Sequence, residues 1–234
     1  MTRMKFCAVA IVAIFAFAGA GFAEDGIQGD VYTLDTCPVS GEKLGGMGDP
    51  VKVNYEGRDV SLCCAGCIKK FEAESQKYFS RIDAKMIADQ TDHYPLTTCP
   101  VGGGKLGEMG EPVSVIVNNR LVQLCCGGCE KKLRADPAQF IAKLDAAVIA
   151  QQSETYPFEV CMVSGERLGG SHGKTIEKVV ANRLVKFCCA SCVTLFNASP
   201  AKYLHMLDTG VLEVSEDEGS NSKHEESASH EGHH

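Results

Sequence analysis

The residues able to do chemistry in this chain are its cysteines, 13 among 234 residues. All except Cys7 fall into three sets of four. Cys37, Cys99 and Cys161 follow one another at intervals of 62 residues. A Cys-Cys-x-x-Cys cluster comes after each: Cys63, Cys64 and Cys67; Cys125, Cys126 and Cys129; Cys188, Cys189 and Cys192. Thiols in such a pattern support three kinds of chemistry: thiolate ligation of a soft metal ion, a disulfide framework, or thiol–disulfide exchange.

The spacing favours metal. Each set places one cysteine in a Gly-rich loop and two more where a strand runs into a helix, and small zinc sites gather their thiolates from such elements. A helix N-terminus, with its free N–H groups, also favours the thiolate form. Neighbours at the end of a strand point to opposite faces, so the adjacent pair in each cluster should not ligate together easily. Three ligands per site is the natural count: Cys37, one of Cys63 and Cys64, and Cys67, with the matching residues in the other copies. The fourth position then falls to the other cysteine, a water or a loop side chain. Met47, Met109 and the pair Ser171-His172 occupy matching loop positions, where packing in the loop is favoured over ligation by the methionines. Such soft sulfur sets suit Cu(I) or Zn(II), about one ion per unit, and Cu(I) accepts three ligands without strain.

The elements that must hold these cysteines repeat with them. The loops read Cys37-Pro38-Val39-Ser40-Gly41, Cys99-Pro100-Val101-Gly102-Gly103 and Cys161-Met162-Val163-Ser164-Gly165. Two short strands follow, in the second copy Val113 to Val117 and Arg120 to Leu124, joined by Asn118-Asn119. The matching turns, Glu56-Gly57 and Ala181-Asn182, keep Gly or Asn at the second position, as a two-residue hairpin requires. A helix starts at each cluster. A second helix follows it, opened by Asp136-Pro137 in the second copy and Ser199-Pro200 in the third. Apolar residues at helical spacing, Phe140, Ile141, Leu144 and Val148, suit a helix that packs its own unit and links it to the next. Arg58, Arg120 and Arg183 recur after each turn, where satisfying carbonyls or pairing with a carboxylate is the expected job. The third copy carries one extra residue near His172.

The predicted fold class is α+β: three tandem modules over 31–92, 93–154 and 155–214, each with a Gly-rich cysteine loop, a β-hairpin and a helix pair. A unit of about 60 residues buries little apolar surface and usually needs a metal or disulfides as a staple. Residues 1–23 read as a secretory signal: Arg3 and Lys5, an apolar stretch from Phe6 to Phe17, then small residues offering cleavage after Ala20 or Ala23. The apolar run is short for a membrane span and no second one follows, so the expected location is periplasmic or secreted, with no membrane span after cleavage. The net charge of −7 and the absence of Trp offer no nucleic-acid surface. Residues 215–234, rich in Ser, Glu and Gly, read as a disordered acidic tail. Within it His224, His230, His233 and His234 among Glu225, Glu226 and Glu231 offer loose, weak metal binding, weighed equally against a solvated tail. His93 and His205 stand alone and are expected to serve the surface or the packing.

The pattern Cys37-Pro38-Val39-x-Gly41, a hairpin, then Leu62-Cys63-Cys64-x-x-Cys67-x-x-x-Phe71 resembles the TRASH and YHS heavy-metal-binding modules. Ser199-Pro200-x-x-Tyr203 and Phe187-Cys188-Cys189-Ala190-Ser191-Cys192 add to the likeness. The resemblance implies a treble-clef-like fold, a role in heavy-metal sensing, trafficking or resistance, and a metal-transport or efflux partner. The ligands it implies are Cys63 and Cys67, Cys125 and Cys129, and Cys188 and Cys192, each pair with its loop cysteine. In one respect the chain departs: where the family loop reads Asp-Pro-Val-Cys-Gly, Cys37 stands at the Asp position and Ser40 at the Cys position.

A non-enzymatic metal binder for buffering, trafficking or resistance is therefore expected. The first rival is a disulfide-stapled repeat protein with an interaction role, which suits an exported cysteine-rich chain but leaves the adjacent cysteines without evident partners. A thiol–disulfide oxidoreductase built on Cys64 to Cys67, Cys126 to Cys129 and Cys189 to Cys192 is the second. No βαβ pattern surrounds those segments, and such an enzyme needs no further loop cysteine.

Overall fold

The computed structural model describes residues 29–171 and 173–212; the signal segment 1–23, His172 and the tail 215–234 lie outside the described residues. The fold is α+β. Three antiparallel hairpins, β1 (Val51–Tyr55) with β2 (Arg58–Leu62), β3 (Val113–Val117) with β4 (Arg120–Leu124) and β5 (Ile176–Val180) with β6 (Arg183–Phe187), form separate two-stranded sheets. A pair of helices follows each hairpin: α1 (Gly66–Ala73) and α2 (Ser75–Thr91), α3 (Glu130–Ala135) and α4 (Pro137–Gln152), α5 (Ala190–Ala198) and α6 (Pro200–Thr209). In the second copy a single 3-10 turn, Gly127–Cys129, precedes α3, because two consecutive glycines are poor helix formers. No described helix is long and apolar enough to cross a membrane.

The hairpins turn where the sequence places them. Both central residues of each turn have positive φ: Glu56 52° and Gly57 81°, Asn118 49° and Asn119 66°, Ala181 50° and Asn182 60°. These are type I′ turns, whose twist matches that of the strands they join. Glu56 and Ala181 hold that conformation without glycine's freedom, at a cost of about 1 kcal/mol each. Asp136 caps α4 by accepting from the Gln139 N–H at 3.4 Å. Ser199 stands at the same place before α6 but its side chain makes no such bond; there Pro200, preset at helical φ, opens the helix alone.

The units interlock. Helix α2 packs on β3 and β4, and α4 packs on β5 and β6, so each long helix covers the hairpin of the unit after it. The buried cluster around Phe71, Ile82 and Met86 accordingly takes in Ile116 and Leu121. Glutamines at the ends of the long helices fix this docking. Gln90 donates to the Asn119 carbonyl at 2.9 Å and accepts the Leu121 N–H at 2.8 Å. Gln152 repeats the clamp on the Asn182 carbonyl at 3.1 Å and the Leu184 N–H at 2.7 Å. The turn asparagines reach back to the preceding hairpin: Asn119 Nδ2 donates to the Asp59 carbonyl at 2.8 Å and Asn182 Nδ2 to the Leu121 carbonyl at 3.3 Å.

The recurring arginines do structural work of the expected kind. Each pairs with an aspartate in the second helix of its own unit: Arg58 with Asp83 at 2.6 Å, Arg120 with Asp145 at 2.7 Å, Arg183 with Asp208 at 2.7 Å. Two of them also tie distant segments. Arg120, 2% exposed, holds both oxygens of Asp30 at 2.6 and 2.7 Å and the Val179 carbonyl at 2.7 Å. Arg183 reaches Asp89 in the first unit at 3.1 Å. Removing one partner of a buried pair strands the other charge in the interior, whereas exposed pairs contribute little. Arg120→Ala is therefore expected to cost about 3–5 kcal/mol in urea unfolding. Arg134→Ala, which breaks the exposed pair with Glu130, should cost under about 1 kcal/mol. Similar small losses for both would show that the buried pair holds nothing in place.

Candidate metal centres

Each centre starts in its loop. The Cys37 N–H donates to the Glu42 carbonyl at 2.8 Å, the Gly41 N–H donates back to the Cys37 carbonyl at 2.8 Å, and Gly41 turns the chain with φ 80°. The same ring of bonds closes Cys99 with Gly104 and Gly103, and Cys161 with Glu166 and Gly165. A loop this tight aims successive backbone N–H groups at the cysteine sulfur; the Gly102 N–H donates to Cys99 Sγ at 3.3 Å. Opposite the loop, β2 ends at Leu62, so Cys63 continues inward from the strand while Cys67 lies in the first turn of α1.

These elements bring three sulfurs together in each unit: Cys37, Cys63 and Cys67; Cys99, Cys125 and Cys129; Cys161, Cys188 and Cys192. Within each triad all sulfurs lie within 4.8 Å of one another, somewhat wider than the ~4 Å of a closed ligand set. Cys63 to Cys67 is 3.6 Å, Cys125 to Cys129 is 3.9 Å and Cys188 to Cys192 is 3.6 Å. These separations far exceed the ~2.05 Å of a disulfide bond. All the described cysteines are free thiols.

The adjacent cysteines differ in burial, but their sulfurs do not point apart as strand alternation would have them, because the strand has ended at Leu62. Cys63, Cys125 and Cys188 belong to the triads, whereas Cys64, Cys126 and Cys189 stand outside them and nearer to solvent. The outer thiols remain close: Cys64 Sγ lies 3.9 Å from both Cys63 and Cys67, and Cys189 Sγ lies 3.6 Å from Cys192. A serine hydroxyl joins two of the centres, Ser40 Oγ at 3.2 Å from Cys63 Sγ and Ser164 Oγ at 3.3 Å from Cys188 Sγ. Met47 and Met109 do not pack in the loop as expected; they are 65% and 67% exposed. Two glycines, Gly48 and Gly110, follow them at positive φ and carry the loop tips outward. His93 lies 3.6 Å from Asp208, and neither it nor His205 joins a triad.

Ionisation within a triad is uneven. Burial works against a charge on Cys37, but hydrogen bonds from Ser40 and from the backbone of Cys63 and Val39 outweigh it and bring the thiol down to about 7. Cys99 also falls to about 7, burial being overcome by the backbone N–H groups of Gly102, Cys125 and Val101. Cys161 shifts the same way. The helix cysteines do the reverse of what a helix N-terminus alone would give. Burial, and then the neighbouring thiols, push Cys67 and Cys129 up to about 12. Cys192 also rises to about 12, with burial the largest cause. The lowering expected at the helix starts falls instead on the outer thiols, held down chiefly by Cys67 for Cys64, by the Gly128 N–H for Cys126 and by the Cys192 N–H for Cys189. One thiolate per triad forms readily, and a second has no counter-charge.

A cation would supply that counter-charge, and each triad could hold one metal ion. Comparison with models of known protein families, with curated proteins and with solved structures finds no match to this chain.

Loading a triad at about pH 8 must expel protons, at least one per ion, because Cys67, Cys129 and Cys192 are held near 12. The loop thiolates have depressed values, so they are present above about 7 and lost as pH falls through it. Apparent affinity should therefore weaken steadily as pH is lowered through that range, as read by pH-stat titration and competition binding. Metal uptake that released no acid would mean that the thiols are not the ligands.

Proposed function

We propose that the chain is an exported, non-enzymatic protein that binds a soft metal ion, Cu(I) or Zn(II), in each unit and serves in buffering, trafficking or resistance. The observation that carries this reading is the threefold recurrence of a sulfur triad whose atoms all lie within 4.8 Å of one another. Three sulfurs with a hydroxyl or open space beside them suit Cu(I), which is content with three ligands; Zn(II) needs a fourth, which the outer cysteine or water supplies. The likeness of Cys37-Pro38-Val39-x-Gly41 and Cys63-Cys64-x-x-Cys67 to TRASH and YHS modules supports the reading, and with it a treble-clef-like unit and a metal-transport or efflux partner. The signal-like segment 1–23 supports a periplasmic or secreted location, and the histidines of 215–234 would add weak collecting sites.

Anaerobic titration of the reduced chain with Cu(I) against a chromophoric competitor tests the proposal, and about three ions should bind tightly. Replacing Cys63, Cys125 and Cys188 together with Ser should abolish tight binding; replacing Cys64, Cys126 and Cys189 should leave the stoichiometry and alter exchange. Removing residues 215–234 should cost only weak binding. If no soft metal binds tightly to the reduced chain, the thiols belong to a disulfide framework instead.

Metal and fold should also be coupled, because each ion draws loop and helix together. At free metal about 1,000-fold above Kd, each filled site adds about 4 kcal/mol to stability. Chelator treatment under reducing conditions should then lower the thermal midpoint and the hydrogen-exchange protection. Unchanged values would mean that the sites are not structural.

A further inference from the structure

The three centres are built alike but are not covered alike. In the first and third units a serine stands over the sulfurs, with its hydroxyl 3.2 Å from Cys63 Sγ and 3.3 Å from Cys188 Sγ. In the second unit that position is Gly102. A Cβ placed on Gly102 would lie 3.1 Å from Cys129 Sγ, 3.5 Å from Cys125 Sγ and 3.9 Å from Cys99 Sγ. The missing side chain therefore faces all three sulfurs of the triad at once. One further cover is trimmed in the same unit: Glu42 and Glu166 correspond to Gly104. A Cβ on Gly104 would lie 3.6 Å from Cys125 Sγ.

Exposure follows from this trimming. Cys63, Cys67, Cys188 and Cys192 are buried, whereas Cys125 and Cys129 are half-buried and Cys126, outside the triad, is exposed. The opening is local. Cys99, at the base of the triad, is 2% exposed, like Cys37, and the loop ring around it is closed by the same backbone bonds. What differs is the roof and not the floor.

Resting on the metal-binding reading above, we infer that the second centre is the exchange port of the protein, the site where an external thiolate gains direct access to the bound ion. Substitution at a thiolate-bound metal proceeds by attack of the incoming sulfur, and its rate depends on access to the ion. At Gly102 an incoming thiol can approach along the face that Ser40 and Ser164 block in the sister units. Its sulfur bonds to the ion as its proton leaves, and one of the exposed-side thiolates, Cys125 or Cys129, is released and takes up a proton. No oxidant or reductant is consumed. Cys126, beside them at the rim, provides a thiol that can hold the ion during the exchange. The first and third centres, roofed by serine, retain their ions for longer.

The test uses the full reduced chain loaded with Zn(II) and mixed with excess dimercaptopropanesulfonate, a small dithiol, with the ions left on the protein counted over time by native mass spectrometry. One ion is expected to leave about tenfold faster than the other two. Gly102→Ser should remove that fast step, and Ser40→Gly should create a second one. Both substitutions install residues that sister units already carry at the same place. In parallel, N-ethylmaleimide labelling of the loaded wild-type chain, mapped by peptide mass, should mark Cys125, Cys126 and Cys129 before the cysteines of the other units. Three ions leaving at one rate, equal labelling of all units, or a fast step that survives Gly102→Ser would each overturn the inference while leaving metal binding intact. A chain that carries no ions at the start would overturn the metal-binding reading itself, and the exchange port with it.

Discussion

Three sulfur atoms within 4.8 Å of one another form a place whose charge has to be managed, and each unit of this protein is arranged around one such place. In the first unit the loop supplies the Ser40 hydroxyl and backbone N–H groups that allow its own cysteine to ionise near 7, while the helix cysteine beside it is driven to about 12. A triad with one ready thiolate is thus short of the charge that a full thiolate ligand set carries, and a cation could complete it. Loop, strand end and first helical turn are all short, and none has the apolar mass to hold the others unaided. The glycines at positive φ and the ring of loop hydrogen bonds serve to keep those sulfurs at one point.

Beyond the sulfurs the units are held together by polar groups. Gln90 and Gln152 each close two hydrogen bonds onto the hairpin of the following unit, and Asn119 and Asn182 return one to the hairpin before. Arg120 and Arg183 then bind carboxylates from both their own and distant segments. Burying such groups gains little net stability over a well-packed apolar contact. Their effect is on register: a glutamine amide with both ends occupied tolerates no slip of the helix along the hairpin.

Much of this was legible in the sequence because the chain is its own alignment. The period of the cysteines, the strands Val113–Val117 and Arg120–Leu124, and the helix pairs follow from reading three copies against one another. Strand alternation does not separate Cys63 from Cys64, whose sulfurs lie 3.9 Å apart, because both residues follow the end of the strand at Leu62. The carboxylate partners Asp83, Asp145 and Asp208 recur at one fixed distance after each arginine, and that signal was available. Asp30 was not legible, because its pairing with Arg120, 90 residues on, leaves no local spacing to read. The glutamines were equally hidden, because a polar residue on a helix reads as solvent-facing until a neighbouring hairpin is known to lie over it. Ser199 shows the opposite failure: a good capping residue in the right place whose side chain makes no capping bond.

Since α2 closes over β3 and β4, and α4 over β5 and β6, no unit owns the whole of its apolar surface. The first and third units also meet directly, through Arg183 with Asp89 and the Ala181 N–H with Asp30, so opening any one unit strips cover from both others. The three units are therefore expected to unfold as one cooperative body. The thinnest roof over sulfur, at Gly102, therefore sits in a unit held by both of the others. Accessibility and flexibility are separated here: the second centre is open through its missing side chains while its backbone stays pinned by both neighbours.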